Sequence, residues 1–267
     1  MVKAPQFVLL LSLILTFWIY APGRAEVLIL DDLYSIVGVD LHSSMEQPFL
    51  QRVEASGSGG PTGRPVSTVT FVVESVYLKT SIAQRKTVNI VLHLANSILV
   101  FVLLLQLFRA ATYLRPEWLA LTFTVLWMLS PALVSTTLYL VQRMSLLATF
   151  FVLWGCIAYL YWRGQYIGGG GRWIQIVPVL VFFILAVFSK ENGLLLLPII
   201  AALELCWFRN ESLKYDRVAT LHRVFVWTVA VLAVVGVVLA TVFYPFLREG
   251  FESRDFSMGE RLLTQSR

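Results

Sequence analysis

Metal-binding and redox-active side chains are scarce in this chain: two cysteines and three histidines among 267 residues. Cys156 and Cys206 both fall inside apolar runs, where a free thiol behaves as a small apolar group. That placement argues against a disulfide framework, and no Cys or His spacing of a zinc site occurs. Charge is also sparse. Only 14% of residues are charged and 58% are hydrophobic, with a mean hydropathy of +0.75. A soluble domain carries about 25% charged residues, so this composition points to a membrane protein. The glycines at 168–171 lack the Lys-Ser/Thr of a phosphate-binding loop and read as a flexible connector. No basic patch with interleaved aromatics appears, so the net charge of +5 implies no nucleic-acid partner.

What the chain has in quantity is long apolar runs. Seven stretches approach the roughly 20 residues a bilayer core requires. They fall near 6–22, 87–108, 117–134, 144–162, 173–189, 193–208 and 224–245. The expected fold is all-α, a polytopic membrane bundle of about seven helices. The fifth and sixth runs are separated only by Ser189-Lys190-Glu191-Asn192, which predicts a tight turn at a membrane face.

The distribution of Lys and Arg in short loops sets orientation. With the N-terminus inside, Lys3, Arg109, Arg115, Arg163, Arg172, Arg209, Lys214, Arg217 and Arg223 are cytoplasmic, whereas the short outer turns hold Arg143 and Lys190. Cysteines placed at Ser58 and Gly169 are therefore expected to label from opposite sides of the membrane. Labelling from one side would contradict this topology. A cleaved signal peptide is the competing reading of the start, since Lys3 and Ala21-Pro22-Gly23-Arg24-Ala25 fit it loosely. Trp18 and Tyr20 suit an interfacial anchor better.

The loop 23–86 is then a large extracytoplasmic element with short helices. Leu41–Val53 reads as an amphipathic helix and Val66–Leu78 as a segment lying on the membrane surface. Asn210-Glu211-Ser212 matches a glycosylation acceptor but faces the cytoplasm on this topology, a chance match.

Polar groups at membrane depth are costly and mark function more often than polar groups elsewhere. Asn89, His93 and Asn96 recur at i, i+4 and i+7 and share one helix face. Interhelical hydrogen bonding and a substrate cavity are both open readings of that face. Asp31, Asp32, Arg64, Gln142, Arg143, Lys190, Glu191 and Asn192 come from four places in sequence, and the topology brings all of them to the outer side. A carboxylate beside several cations is what glycosyl transfer from a lipid phosphate needs. The cations hold the phosphate and stabilise the leaving group. The carboxylate takes the acceptor hydroxyl's proton.

These residues carry a family resemblance. Ile29-Leu30-Asp31-Asp32 and Gly60-Pro61-Thr62-Gly63-Arg64-Pro65-Val66-Ser67 resemble the first extracytoplasmic loop of GT-C polyprenol-phosphate-sugar glycosyltransferases. The similarity is closest to the O-mannosyltransferase-like proteins that often carry tetratricopeptide repeats, which this sequence lacks. Asn89–Ser97 resembles their second helix. Leu129-Ser130-Pro131-Ala132 with Val141-Gln142-Arg143-Met144 resembles their third-to-fourth junction, and Ser189-Lys190-Glu191-Asn192-Gly193 with Pro198 and Glu204 their paired fifth and sixth helices. Glu260–Gln265 resembles the outer loop after the seventh. Ser130-Pro131 replaces the His-Pro of many relatives, and Val141-Gln142-Arg143-Met144 departs from the Ser-Gln/Gly-Arg form. Both departures leave sugar identity open.

The resemblance implies a GT-C transmembrane domain over 1–245 and an extracytoplasmic tail, 246–267, that begins a missing C-terminal region. It implies an inverting hexosyltransferase with a polyprenyl-phosphate-linked sugar as donor and a protein or glycan acceptor. Asp31 or Asp32 would be the general base, with Arg64, Gln142, Arg143, Lys190, Glu191, Asn192, Asn89 and His93 on the donor. Adjacent residues of an extended stretch face opposite ways, so the two aspartates have different tasks, and Asp31 is favoured as base. Metal dependence stays open: Asp31, Asp32 and Glu191 are able to ligate a divalent cation, whereas the relatives this chain resembles more closely need none. Localisation follows as a multi-pass protein of a bacterial inner membrane. The alternative from another class is an inactive relative, a lipid-sugar binding protein or a transporter. A transporter would favour charges at the bilayer midplane and repeated halves.

Overall fold

A computed structural model describes residues 4–28, 32, 39–40, 48–56, 63–167 and 172–204. Asp31, the predicted seventh span 224–245 and the tail 246–267 lie outside the described residues. Met1–Ile200 form one compact unit and Ala201–Arg267 a second, of which residues 201–204 are described.

Every regular element among the described residues is helical. The α-helices are α1 (Ala4–Tyr20), α2 (Phe49–Ala55), α3 (Pro65–Val73), α4 (Ile82–Ala110), α5 (Pro116–Met128), α6 (Ala132–Leu138), α7 (Arg143–Ile167), α8 (Val177–Ser189) and α9 (Leu196–Leu203). Three stretches are long and apolar enough to cross a membrane: Ala4–Arg24, Ile82–Ala110 and Leu140–Tyr166. The bent pair α5 and α6 brings the number to as many as four. Residues 174–189 and 191–203 are apolar but shorter. Wide apolar faces remain outside the packed interior, including Phe7, Leu10, Leu11 and Trp18 on α1 and Leu180, Ile184 and Phe188 on α8. A helix that is apolar all round suits lipid on its outer side.

Two boundaries differ from those read off the hydropathy. The run 117–134 is not one helix. Helix α5 ends at Met128, and α6 leaves at 67° to it. The break falls at Ser130-Pro131, where proline lacks an amide donor and disfavours helical geometry in the residue before it. The second helix begins at Ile82, five residues before the predicted 87. A capping box starts it: the Gln84 amide donates to Ser81 Oγ at 3.3 Å and the Ser81 amide to Gln84 Oε1 at 2.8 Å.

Helices α1, α4 and α5 pack around Leu9, Phe101, Ala120 and Leu121. Helices α7, α8 and α9 meet around Val152, Cys156, Ala186 and Leu196. A third cluster joins the first loop to the bundle: Val39, Val53, Phe71 and Val72 pack on Leu140 and Met144. Helix α3 thus packs into this interior through Phe71 and Val72, while Tyr77 and Leu78 of the π-helical turn Glu74–Leu78 that extends it are exposed. In the expected amphipathic segment 41–53, the described helix starts at Phe49.

The turn between α8 and α9 is tight. The Gly193 amide donates to Lys190 O at 2.8 Å, and the Lys190 amide to Ala186 O at 3.1 Å. A Cβ on Gly193 would lie well inside contact distance of the Ala186 and Val187 backbone. Because backbone must move to admit it, Gly193→Ala is expected to cost about 1–3 kcal/mol. Thermal unfolding in detergent checks this, and an unchanged midpoint would contradict it.

Candidate functional site

The three-residue 3-10 turn Leu140–Gln142, which leads into α7, is the hub of the polar groups. Amides at the start of such a turn have no partner within it and accept an outside acceptor readily. Asp32 supplies one. Its Oδ1 accepts from the Val141 amide at 2.7 Å and its Oδ2 from the Leu140 amide at 3.3 Å, and the residue is fully buried. Helix α4 holds the carbonyls on the other side of the turn. Asn89 Nδ2 donates to Tyr139 O at 3.2 Å and to Leu140 O at 3.4 Å. The turn is therefore clamped through its amides and through its carbonyls.

Arg143, the next residue, is the largest fully buried side chain. A bare guanidinium at that depth would be prohibitive, and four neighbours offset the cost. Its Nη1 meets Glu74 Oε2 at 2.6 Å, Nε donates to Asn89 Oδ1 at 2.8 Å, and Nη2 donates to Arg85 O at 2.9 Å. The Phe71 ring lies under it with 4.6 Å from Cζ to the centroid. One helical turn earlier on α4, Lys86 is also buried and donates to Ala25 O at 2.8 Å and Val27 O at 3.0 Å. Those bonds fix the backbone that follows α1. Arg85 pairs with Asp40 at 2.9 Å.

A second group is half-exposed. Arg64 grips Glu191 through Nε at 3.2 Å to both oxygens and through Nη2 at 2.9 Å, with 21% of each side chain exposed. Arg64 also has φ 48° and ψ 48°, a left-handed conformation disfavoured for a residue with a side chain, at the start of α3. Lys190 Nζ donates to Ser145 Oγ at 2.7 Å and to Gln142 Oε1 at 3.2 Å, and Ser145 Oγ donates to the same Gln142 oxygen at 2.7 Å. Burial, then the neighbouring Arg64 cation, hold the Lys190 ammonium below the usual lysine range, with Glu191 acting in the opposite sense. Asn192 is exposed beside them. Ser67 Oγ donates to Ser189 O at 2.9 Å and ties α3 to this end of α8.

Of the residues singled out in sequence, Asp32, Asn89, Gln142 and Arg143 thus meet at the 139–143 turn, while Arg64, Lys190 and Glu191 gather beside it. His93 does not join either group. It is buried with Nε2 donating to Met128 O at 2.9 Å, between the rings of Tyr20 and Trp127, each 5.4 Å away. Asn96 likewise donates to Leu146 O at 3.0 Å. Each thus makes an interhelical hydrogen bond, while His93 Nδ1 and Asn96 Oδ1 are buried without a partner among the described residues. Sequence reasoning missed Glu74, Lys86 and Ser145. For Glu74 there was a signal, since it is the one carboxylate inside the apolar run 66–78.

Chemically, Arg64, paired with Glu191, and Lys190 place two cations beside the turn that Arg143 braces. Among the described residues no group of three His, Cys, Asp or Glu is placed to hold a metal ion. No family model, curated protein or solved structure matches this chain.

Proposed function

We propose that this chain is a membrane glycosyltransferase of the GT-C type that moves a sugar from a polyprenyl phosphate to a protein or glycan acceptor on the extracytoplasmic side. On this reading the short helices 174–189 and 191–203 are a fifth and sixth span, and 224–245 the seventh. The N-terminus is cytoplasmic, and the membrane is a bacterial inner membrane.

One observation carries the reading. Two cations, Arg64 and Lys190, sit partly exposed beside the turn that Asp32 caps, and among the described residues Lys190 has only neutral hydrogen-bond partners. An ammonium whose hydrogen bonds go to neutral groups is able to take an anion beside them. Held there, a phosphate would leave its lipid tail in the bilayer. Asp31, next to a residue fixed on Leu140 and Val141, is the proposed base for the acceptor hydroxyl.

Lys190→Met tests this. It removes the charge while keeping an apolar stem, so the donor KM is expected to rise about 10–100-fold, as loss of a charge-assisted contact of about 1.5–3 kcal/mol implies. An unchanged donor KM would remove Lys190 from the site. If binding of polyprenyl-phosphate-sugar persists with no transfer to any acceptor, the chain is a lipid-sugar binding protein.

A further inference from the structure

Ser145 Oγ and Lys190 Nζ lie 2.7 Å apart and join the first turn of α7 to the start of the α8–α9 turn. Gln142 Oε1 closes a triangle with them, 3.2 Å from Nζ and 2.7 Å from Oγ. Donor chemistry fixes each role. An ammonium only donates, so the Gln142 atom facing Lys190 is the amide oxygen, and Ser145 Oγ accepts from Nζ. The single proton of the Ser145 hydroxyl then goes to Gln142 Oε1. Gln142 is held by its oxygen end alone.

Donors are left over on both long side chains. Lysine has three N–H groups and two are used here, so the third has no acceptor among the described residues. Gln142 Nε2 carries two more and also makes no hydrogen bond among the described residues. Bond lengths of about 1.23 and 1.33 Å place the oxygen and nitrogen of an amide about 2.3 Å apart. With Oε1 3.2 Å from Nζ, Gln142 Nε2 lies within about 5.5 Å of Lys190 Nζ. Hydrogen bonds of about 2.9 Å span that gap to two oxygens of a single oxyanion. All three side chains belong to partly exposed residues.

Holding the helices together does not require this triangle. Ser67 Oγ already ties α3 to Ser189 O, the Gly193 amide closes the turn on Lys190 O, and α7 packs on α8 and α9 through Val152, Cys156, Ala186 and Leu196. Long side chains such as Lys190 and Gln142 lose rotamer freedom when ordered, and Ser145 orders both at once.

We infer that Ser145 is a positioning residue for anion binding: its hydroxyl holds Lys190 Nζ and the Gln142 amide so that their remaining N–H groups meet one phosphate oxyanion. The inference rests on the glycosyltransferase reading for the identity of that ligand, the phosphate of the polyprenyl carrier. Ser145 acts through its two neighbours rather than on the phosphate.

The experiment measures binding of polyprenyl phosphate to the full chain in nanodiscs, against nanodiscs without protein. Ser145→Ala is expected to weaken binding about 3–10-fold, the order of one lost ordering hydrogen bond. Ser145→Thr keeps the hydroxyl and is expected to stay within about twofold of wild type. Ser145→Cys keeps the volume but accepts weakly, so it is expected to lose about as much as alanine, and it carries the test if the alanine chain does not fold. In Lys190→Met the larger part of what Ser145 positions is gone, so there Ser145→Ala is expected to cost only about twofold more. Binding unmoved by Ser145→Ala, threonine no better than alanine, or the full loss repeated in Lys190→Met would overturn the positioning role. Inorganic phosphate is expected to compete only at far higher concentration than the lipid, and equal competition would overturn the assignment to a lipid phosphate. Transfer is assayed separately. Wild-type transfer with binding indifferent to Ser145 refutes this inference alone, and the expected binding pattern without transfer to any acceptor refutes the glycosyltransferase reading alone.

Discussion

Arg143→Met is expected to destabilise the folded chain by about 3–5 kcal/mol, the largest stability change of any single substitution considered. The substitution leaves the Glu74 carboxylate, 4% exposed, without the guanidinium that meets it at 2.6 Å. It also strips Asn89 Oδ1 and Arg85 O of their donor. Methionine fills part of the volume and stacks acceptably on Phe71, so the loss is one of charge compensation more than of packing. The double variant with Glu74→Gln tests that reason. Removing both charges is expected to cost clearly less than the sum of the single losses, with a coupling of about 0.5–3 kcal/mol. Unfolding in detergent, followed by tryptophan fluorescence, gives all three values. Additive losses, or an Arg143→Met chain as stable as wild type, would mean that the pair does not brace the turn.

The second large effect separates the adjacent aspartates. Asp31→Asn preserves shape and removes basicity, so transfer is expected to fall about 10²–10⁴-fold where proton removal limits the step. Asp32→Asn should behave differently. Its carboxylate accepts two backbone amides, and an asparagine has one oxygen with which to do so. A loss of about 1–3 kcal/mol is expected from the amide left without an acceptor. Transfer by Asp32→Asn should fall through misplacement, by a rate factor nearer 10². Measuring rate and unfolding on both variants decides the roles. Unimpaired transfer by both would make the pair structural.

Much of the helical layout was legible because lipid-facing sequence is so one-sided. The first and fourth apolar runs, 6–22 and 144–162, correspond to α1 and α7 within a few residues. The register of Asn89, His93 and Asn96 was legible too, since 3.6-residue periodicity alone puts them on one face, and all three are buried. What hydropathy could not show is charge that the fold compensates. Arg85 and Lys86 read as the loop before a helix, yet both lie inside α4 and are buried, one on Asp40 and the other on two carbonyls. Arg143 read as a donor-binding arginine, and nothing in sequence revealed that Glu74, 69 positions earlier, closes on it. Partners far apart in sequence come from packing, and local pattern carries no record of them. Pro131 was the reverse case, a local signal sufficient to break the run 117–134 and overridden by the hydropathy around it.

The central claim is transfer of a sugar from a polyprenyl phosphate, and the most direct measurement is a transfer assay with the purified chain in vesicles. A panel of polyprenyl-phosphate hexoses, each labelled in the sugar, is offered with peptide and glycan acceptors. The account predicts label in the acceptor with inverted anomeric configuration and release of polyprenyl phosphate in equal amount. It further predicts that Lys190→Met raises the donor concentration required and that Asp31→Asn lowers the rate. A folded chain that releases no polyprenyl phosphate from any member of the panel would contradict it.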